Sequence, residues 1–135
     1  MDFRPVGIFD SGMGGLTSVR ELRRLLPGED IAYLGDTARV PYGGRSVEEL
    51  RRIAESDVRF LRGRGVKAML VACGTVSSNC LDYVQEKAGV PALGVVKPTA
   101  REAVRQLKAA GVRRTVMLTG DAKRVADQVA ADLGV

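Results

Sequence analysis

The sequence predicts an α/β fold: a three-layer αβα sandwich, flavodoxin-like, with five βα units around a five-stranded parallel sheet. Two observations carry this expectation. The apolar period switches repeatedly between strand-sized runs and helical stripes, which is the pattern of βαβ units. The segments are joined by short connections, as a doubly wound sheet requires. The 135 residues fit a single domain, long enough to bury roughly two thirds of the extended surface.

Val6-Gly7-Ile8-Phe9 reads as the first strand, and Leu16, Val19, Leu22 and Leu26 form a helical stripe ended by Pro27-Gly28. Ile31-Ala32-Tyr33-Leu34 is the second strand, followed by a loop through Pro41-Tyr42-Gly43-Gly44. Ser46 and Glu49 have the spacing of a capping box. The helix they open turns Val47, Leu50, Ile53, Ala54, Val58 and Leu61 inward. Lys67 to Ala72 is the third strand, and Thr75 to Lys87 the next helix. Ala92 to Val96 is the fourth strand, and Pro98 opens a helix with Ala103, Val104 and Leu107 inward. Thr115-Val116-Met117-Leu118 is the fifth strand, and a last helix carries Val125, Val129 and Leu133.

Composition narrows the function classes. Hydrophobic residues make up 45% and charged residues 27% of the chain, as in a soluble globular domain. The longest apolar runs, such as Ala68 to Ala72, are strand-sized, so no membrane span is expected. The start, Met1-Asp2-Phe3-Arg4-Pro5, lacks a signal-peptide pattern. Two cysteines without such a signal point to reduced thiols and a cytoplasmic setting. The net charge of +5 raises nucleic acid as a partner. Arginines alternate with acids along the helices, however, and aromatics at 4% are too few for a stacking platform. A solvated charged face, with no nucleic-acid partner, is the expectation.

Cys73 is the residue that says most about chemistry. It ends a buried-looking strand and directly precedes a helix, at the sheet edge where open α/β folds bind ligands. A helix N-terminus favours negative charge, hence thiolate over thiol. The chain has no histidine, so proton chemistry would fall to a thiol, a carboxylate or a lysine. Parallel strands bring three loops to this edge: Asp10 to Gly15, Asp36 to Gly43, and Cys73-Gly74-Thr75. The first is glycine-rich and opens a helix, so its amides would suit a carboxylate or phosphate. It has the spacing of neither a P-loop nor a dinucleotide fingerprint, and tight strand-to-helix packing explains such glycines equally well. Asp10 would take a proton, bind an ammonium or cap the helix. Tyr42 would close over a ligand or cover a loop; Thr75 is a hydroxyl beside the thiol or an N-cap. Convergence on one edge is what favours a site.

Phe9-Asp10-Ser11-Gly12-Met13-Gly14-Gly15-Leu16-Thr17, Leu34 to Gly43, and Ala72-Cys73-Gly74-Thr75 together resemble the N-terminal half of glutamate racemase, of the cofactor-independent aspartate/glutamate racemase superfamily. The resemblance implies that Cys73 is a catalytic proton acceptor and donor, assisted by Asp10. It implies that Asp10, Ser11, Tyr42, Gly43, Gly74 and Thr75 bind glutamate, and that no cofactor or metal is needed. The family more often has asparagine where this chain has Gly74. Family members use two cysteines, one from each pseudo-symmetric half, to invert the α-carbon. Cys80 does not replace the second, because seven helical residues carry it about 10 Å along the axis. Its register with Val76 and Val84 reads as a small core hydrophobe.

From about Pro98 the resemblance changes. Ala103 to Val112, Thr115 to Asp121, and Ala122 to Val135 resemble the haloacid-dehalogenase-like phosphorylation domain of heavy-metal P-type ATPases. There Thr119 and Asp121 would be vestigial phosphate-binding residues, and the phosphorylated-aspartate motif is missing from this chain. Residues 1–97 and 98–135 would thus be two segments of one engineered or recombined α/β domain, the second completing the first one's sheet. The expected function is a chimeric domain retaining half of a racemase site, without native turnover. The alternative is a racemase-type enzyme that uses Cys73 and is complete only as a homodimer or with a missing second half. A third reading is a binding module for glutamate or another small anion, with the chain a monomer or a homodimer.

Overall fold

The computed structural model describes residues 2–113 and residue 131. Its residues group into two compact units, Met1–Val96 and Lys97–Val135. The first contains a four-stranded parallel sheet of β1 (Val6–Asp10), β2 (Ile31–Gly35), β3 (Ala68–Val71) and β4 (Ala92–Gly94) in the order β2-β1-β3-β4. Its helices are α1 (Leu16–Leu25), α2 (Val47–Gly63), α3 (Gly74–Asn79) and α4 (Leu81–Ala88). The second unit holds α5 (Val96–Ala109), which begins at the last residue of the first. The expected fifth strand at residues 115–118 lies outside the described residues, as do Thr119 and Asp121.

The strand order explains where the site sits. The chain steps one way from β1 to β2, then crosses back over β1 to β3 and β4. Right-handed crossovers therefore put α1 on one face, and α2, α3 and α4 on the other. The direction reverses between β1 and β3, and such a switch point opens a crevice at the carboxyl ends of the strands.

The α2 face supplies most of the core. Ser46 caps it with a full capping box: its Oγ accepts from Glu49 N at 3.3 Å, and its N–H donates to Glu49 Oε2 at 3.0 Å. Leu50, Ile53, Ala54, Val58 and Leu61 are buried against Phe9, Met69 and Val71 of the sheet and Val76, Cys80 and Val84 of α3 and α4. Val47, expected inward, stands 44% exposed in the first turn.

The single helix expected over residues 75–87 is two. Cys80 leaves helical geometry (φ −149°, ψ 29°), its N–H still closing α3 onto Val76 O while its carbonyl receives Val84 N–H to open α4. The break keeps Val76, Cys80 and Val84 all buried. Strand β4 ends at Gly94, and α5 begins at Val96, so Pro98 falls within the first helical turn, where its missing N–H costs little. No helix among the described residues is long and apolar enough to cross a membrane.

Candidate active site

The loops after β1, β2 and β3 are tied together by named bonds. Asp10, 8% exposed at the end of β1, uses Oδ2 to accept from Gly15 N at 3.0 Å and Gly12 N at 3.3 Å. The carboxylate thus holds the glycine turn in place but does not cap α1, whose N-cap is Gly15, without a side-chain cap bond. No described residue hydrogen-bonds its Oδ1. Gly15 is needed where it stands, since a Cβ there would lie 2.8 Å from Asp10 Cβ and 3.0 Å from Ala72 Cβ. The close approach brings the first loop against the residue before Cys73. Tyr33 of β2 donates its hydroxyl to Gly12 O at 2.8 Å, and Asp36 N–H donates to Asp10 O at 2.9 Å. Burial, and secondarily the Asp10 charge, push the Tyr33 phenol up, which keeps it a donor.

Cys73 sits at the N-cap of α3 with extended backbone (φ −68°, ψ 116°), its carbonyl receiving Ser77 N–H at 2.9 Å. The residue is 2% exposed and belongs to the core cluster, so this end of the edge is more closed than its position suggests. Gly74 is exposed, Thr75 half-buried, and Ser11 half-buried on the facing loop. Asp10, Ser11, Cys73, Gly74 and Thr75 therefore lie on the two loops that flank the switch point. Cys80 is buried, and burial raises its thiol pKa, consistent with a packing role.

Tyr42 is placed otherwise than as a lid. Its ring is buried, and its hydroxyl lies 2.6 Å from Asp36 Oδ2 and 2.9 Å from Asp57 Oδ2. It covers its own loop, leaving Gly43 exposed. Arg39 closes the group: its guanidinium is 2.6 Å from Asp36 Oδ2 and 2.8 Å from Asp57 Oδ1. Arg45 staples the same loop by donating to Pro41 O and Arg39 O, each at 2.9 Å, across a cis Val40–Pro41 bond. Burial raises the Asp57 carboxyl to about 6 against the lowering effects of Tyr42 and Arg39. Burial likewise pushes the Tyr42 phenol up.

Asp36, Arg39 and Asp57 were not candidates from sequence. One signal was available: Asp57 falls in register with Ile53, Ala54 and Leu61, a carboxylate on the apolar stripe of α2. Among the described residues no cluster of three or more cysteine and acidic side chains is placed to hold a metal ion. A cavity of about 220 Å³ beside the loop after β2 is lined by Arg39, Arg45 and Glu49, not by the residues of the other two loops. Another of about 360 Å³ lies at the opposite end of the strands, lined by Phe3, Leu25, Leu26 and Glu29 among others.

A family model described as hydrolase, haloacid dehalogenase-like hydrolase, matches residues 17–135. The chain belongs to that family by this match. The match begins at Thr17, beyond β1 and the Asp10–Gly15 loop.

Several similar individual proteins are glutamate racemases, a different chemistry from that of the family model. A racemase of Thermus thermophilus is 51% identical over 114 residues, covering 83% of this chain and 44% of the relative. One of Lactococcus lactis subsp. lactis is 46% identical over 108 residues, 80% of this chain and 40% of the relative. The chain thus spans less than half the length of these curated relatives. Among solved structures, glutamate racemase from Aquifex pyrophilus aligns with TM-score 0.73 at 43% identity, over 76% of this chain and 40% of that one. The Francisella tularensis enzyme in complex with D-glutamate aligns at 0.69 and 44% identity, over 77% and 39%. The Campylobacter jejuni enzyme aligns at 0.76 and 29% identity over 96% of this chain and 52% of that one.

The fold is therefore of the racemase type. For the site residues the racemase likeness carries more weight, because Asp10 and Ser11 precede the family-model match. A match of 114 residues also cannot fit within residues 1–97, so racemase similarity continues into α5.

Proposed function

We propose that the carboxyl edge of this sheet is one half of a cofactor-independent glutamate racemase site. The observation that carries it is the adjacency of the Asp10–Gly15 and Cys73–Thr75 loops at the switch point, knitted by Gly15 against Ala72. In this reading the Cys73 thiolate removes the α-proton of glutamate and returns one to the same face. Asp10, through Oδ1, receives the substrate ammonium. Ser11, Thr75 and the backbone at Gly43 and Gly74 hold the carboxylates, while Tyr42 acts through the shape of its turn.

Inversion needs an acid on the opposite face of the carbanion. Cys80 is buried on the α3–α4 corner and does not supply it. A second copy of the chain, or a segment outside it, would. Without either, the domain binds and exchanges but does not racemise.

The five-stranded flavodoxin-like sheet is part of the same proposal, as is a join of a racemase-like segment (expected as 1–97) to a P-type-ATPase-like one (expected as 98–135), with vestigial phosphate contacts at Thr119 and Asp121; the racemase match, too long for residues 1–97, argues for a later boundary. The haloacid-dehalogenase-like match runs over residues 17–135 and so covers this second segment together with most of the first.

An amide-resolved NMR titration with D- and L-glutamate tests the site. Ser11, Gly43 and Thr75 amides should shift together, and Asp10→Ala should abolish the response. Phosphate shifting the same amides equally would favour a plain anion-binding turn instead. No shift with any of the three at millimolar ligand would remove the proposal.

A further inference from the structure

The contacts around Tyr42 form a closed ring: Arg39 to Asp36, Asp36 to Tyr42, Tyr42 to Asp57, and Asp57 back to Arg39. Counting hydrogens shows that the ring lacks one. A phenol has a single hydrogen to donate, yet Tyr42 Oη faces carboxylate oxygens at 2.6 and 2.9 Å. The shorter contact takes it, as expected for an O–H donating to an ionised carboxylate. Asp57 Oδ2 then meets the phenol oxygen at 2.9 Å with no hydrogen between them. Two unprotonated oxygens at that distance in a buried site repel each other and leave lone pairs unsatisfied. A hydrogen on Asp57 Oδ2, donated to Tyr42 Oη, satisfies every atom.

We propose that Asp57 shares a proton with Tyr42 and thereby acts as a positioning residue for the Tyr42–Gly43 turn. With the proton, Arg39, Asp36 and Asp57 sum to zero charge; without it, a net negative charge remains beside a side chain that is 1% exposed. The titratable and charged groups acting on Asp57 are Tyr42, Arg39 and Asp36, all from the loop after β2. Burial raises the Asp57 carboxyl, in the direction that the hydrogen count demands. What the turn positions rests on the racemase reading; the sharing of the proton does not.

The test is a ¹³C-carboxyl NMR titration of Asp57 in the full chain, with the Gly43 amide followed in the same samples. Asp57 should titrate about two pH units above its ordinary 3.8, and Gly43 should shift with the same midpoint. Asp57→Asn is the mimic of the protonated acid, its amide N–H facing Tyr42 and its oxygen facing Arg39. In that variant the Gly43 shift should vanish, and thermal stability should be flat from about pH 5 to about pH 8 where the wild type declines.

An Asp57 midpoint near or below its ordinary 3.8 in wild type overturns the proposal, whether or not the variant folds. A Gly43 shift that persists in Asp57→Asn overturns the positioning role. Absence of any glutamate response at about pH 5, with the Asp57 midpoint at about 6, would instead count against the racemase reading alone.

Discussion

Arg39→Met is expected to lower the free energy of unfolding by about 3 kcal/mol at pH 7, and by clearly less at pH 5. Arg39 faces Asp36 and Asp57 together, at 2.6 and 2.8 Å. Removing one partner of a buried ion pair costs about 3–5 kcal/mol, because the remaining charge has no compensation. The lower end applies here: the Arg39 side chain is 37% exposed, while Asp36 and Asp57 are 8% and 1%. The pH dependence follows from Asp57, whose folded pKa stands at about 6 against an ordinary 3.8. A carboxyl with a raised folded pKa binds its proton more tightly in the folded state. Its contribution is fully present below about pH 4 and is lost as pH rises through about 6. The difference amounts to about 3 kcal/mol across that window. Protonation at pH 5 therefore relieves part of what the lost guanidinium leaves behind. Urea unfolding of both proteins at the two pH values measures this, and an equal loss at both would contradict it.

Gly94→Ala is expected to cost about 3 kcal/mol, a large value for adding one methyl group. The new Cβ would collide with Ser77 Oγ and lie 2.9 Å from Leu81 Cδ2. Ser77 has no room to yield. Its hydroxyl donates to Val71 O at 3.2 Å and accepts from Val95 N at 3.0 Å, joining β3, α3 and the end of β4. Turning it away gives up both of these bonds and leaves Val95 N–H and Val71 O with only the 3.2 Å bond between them. Gly63, at the end of α2, is the control, since no atom lies within 4 Å of its hypothetical Cβ. Gly63→Ala should stabilise the protein by about 0.5–1 kcal/mol through helix propensity. Thermal melts that rank the two substitutions the other way would show that the α3–β4 corner is looser than its contacts indicate.

Much of the first unit was legible because its signals are local and mutually consistent. Strand-sized apolar runs at Val6, Ile31 and Ala68 became β1, β2 and β3. The Ser46/Glu49 pair marked the start of α2 to the residue. The α3–α4 break was hidden because Val76, Cys80 and Val84 keep helical spacing on both sides of it. Tyr42 shows the same limit at the site. Its sequence neighbours mark a loop, but only the return of α2 past that loop brings Asp57 to its hydroxyl, fifteen residues on. Asp57 broke the local pattern, a carboxylate on an apolar face, and its explanation lay in partners distant along the chain. Such departures are where sequence rules are expected to yield to a functional or strained site.

Cys73 as a proton-exchanging thiol at a half-built racemase edge is tested most directly by following the α-proton of D- and L-glutamate by NMR in deuterated water, with Cys73→Ala alongside. One thiol working on one face should give slow α-deuteration with retained configuration, absent from Cys73→Ala even though that variant remains folded. Inversion accompanying exchange, dependent on protein concentration, would mean that two copies oppose their thiols. Exchange at the same rate in the wild type and Cys73→Ala, or no exchange in a folded wild type that binds glutamate, would contradict this role for Cys73.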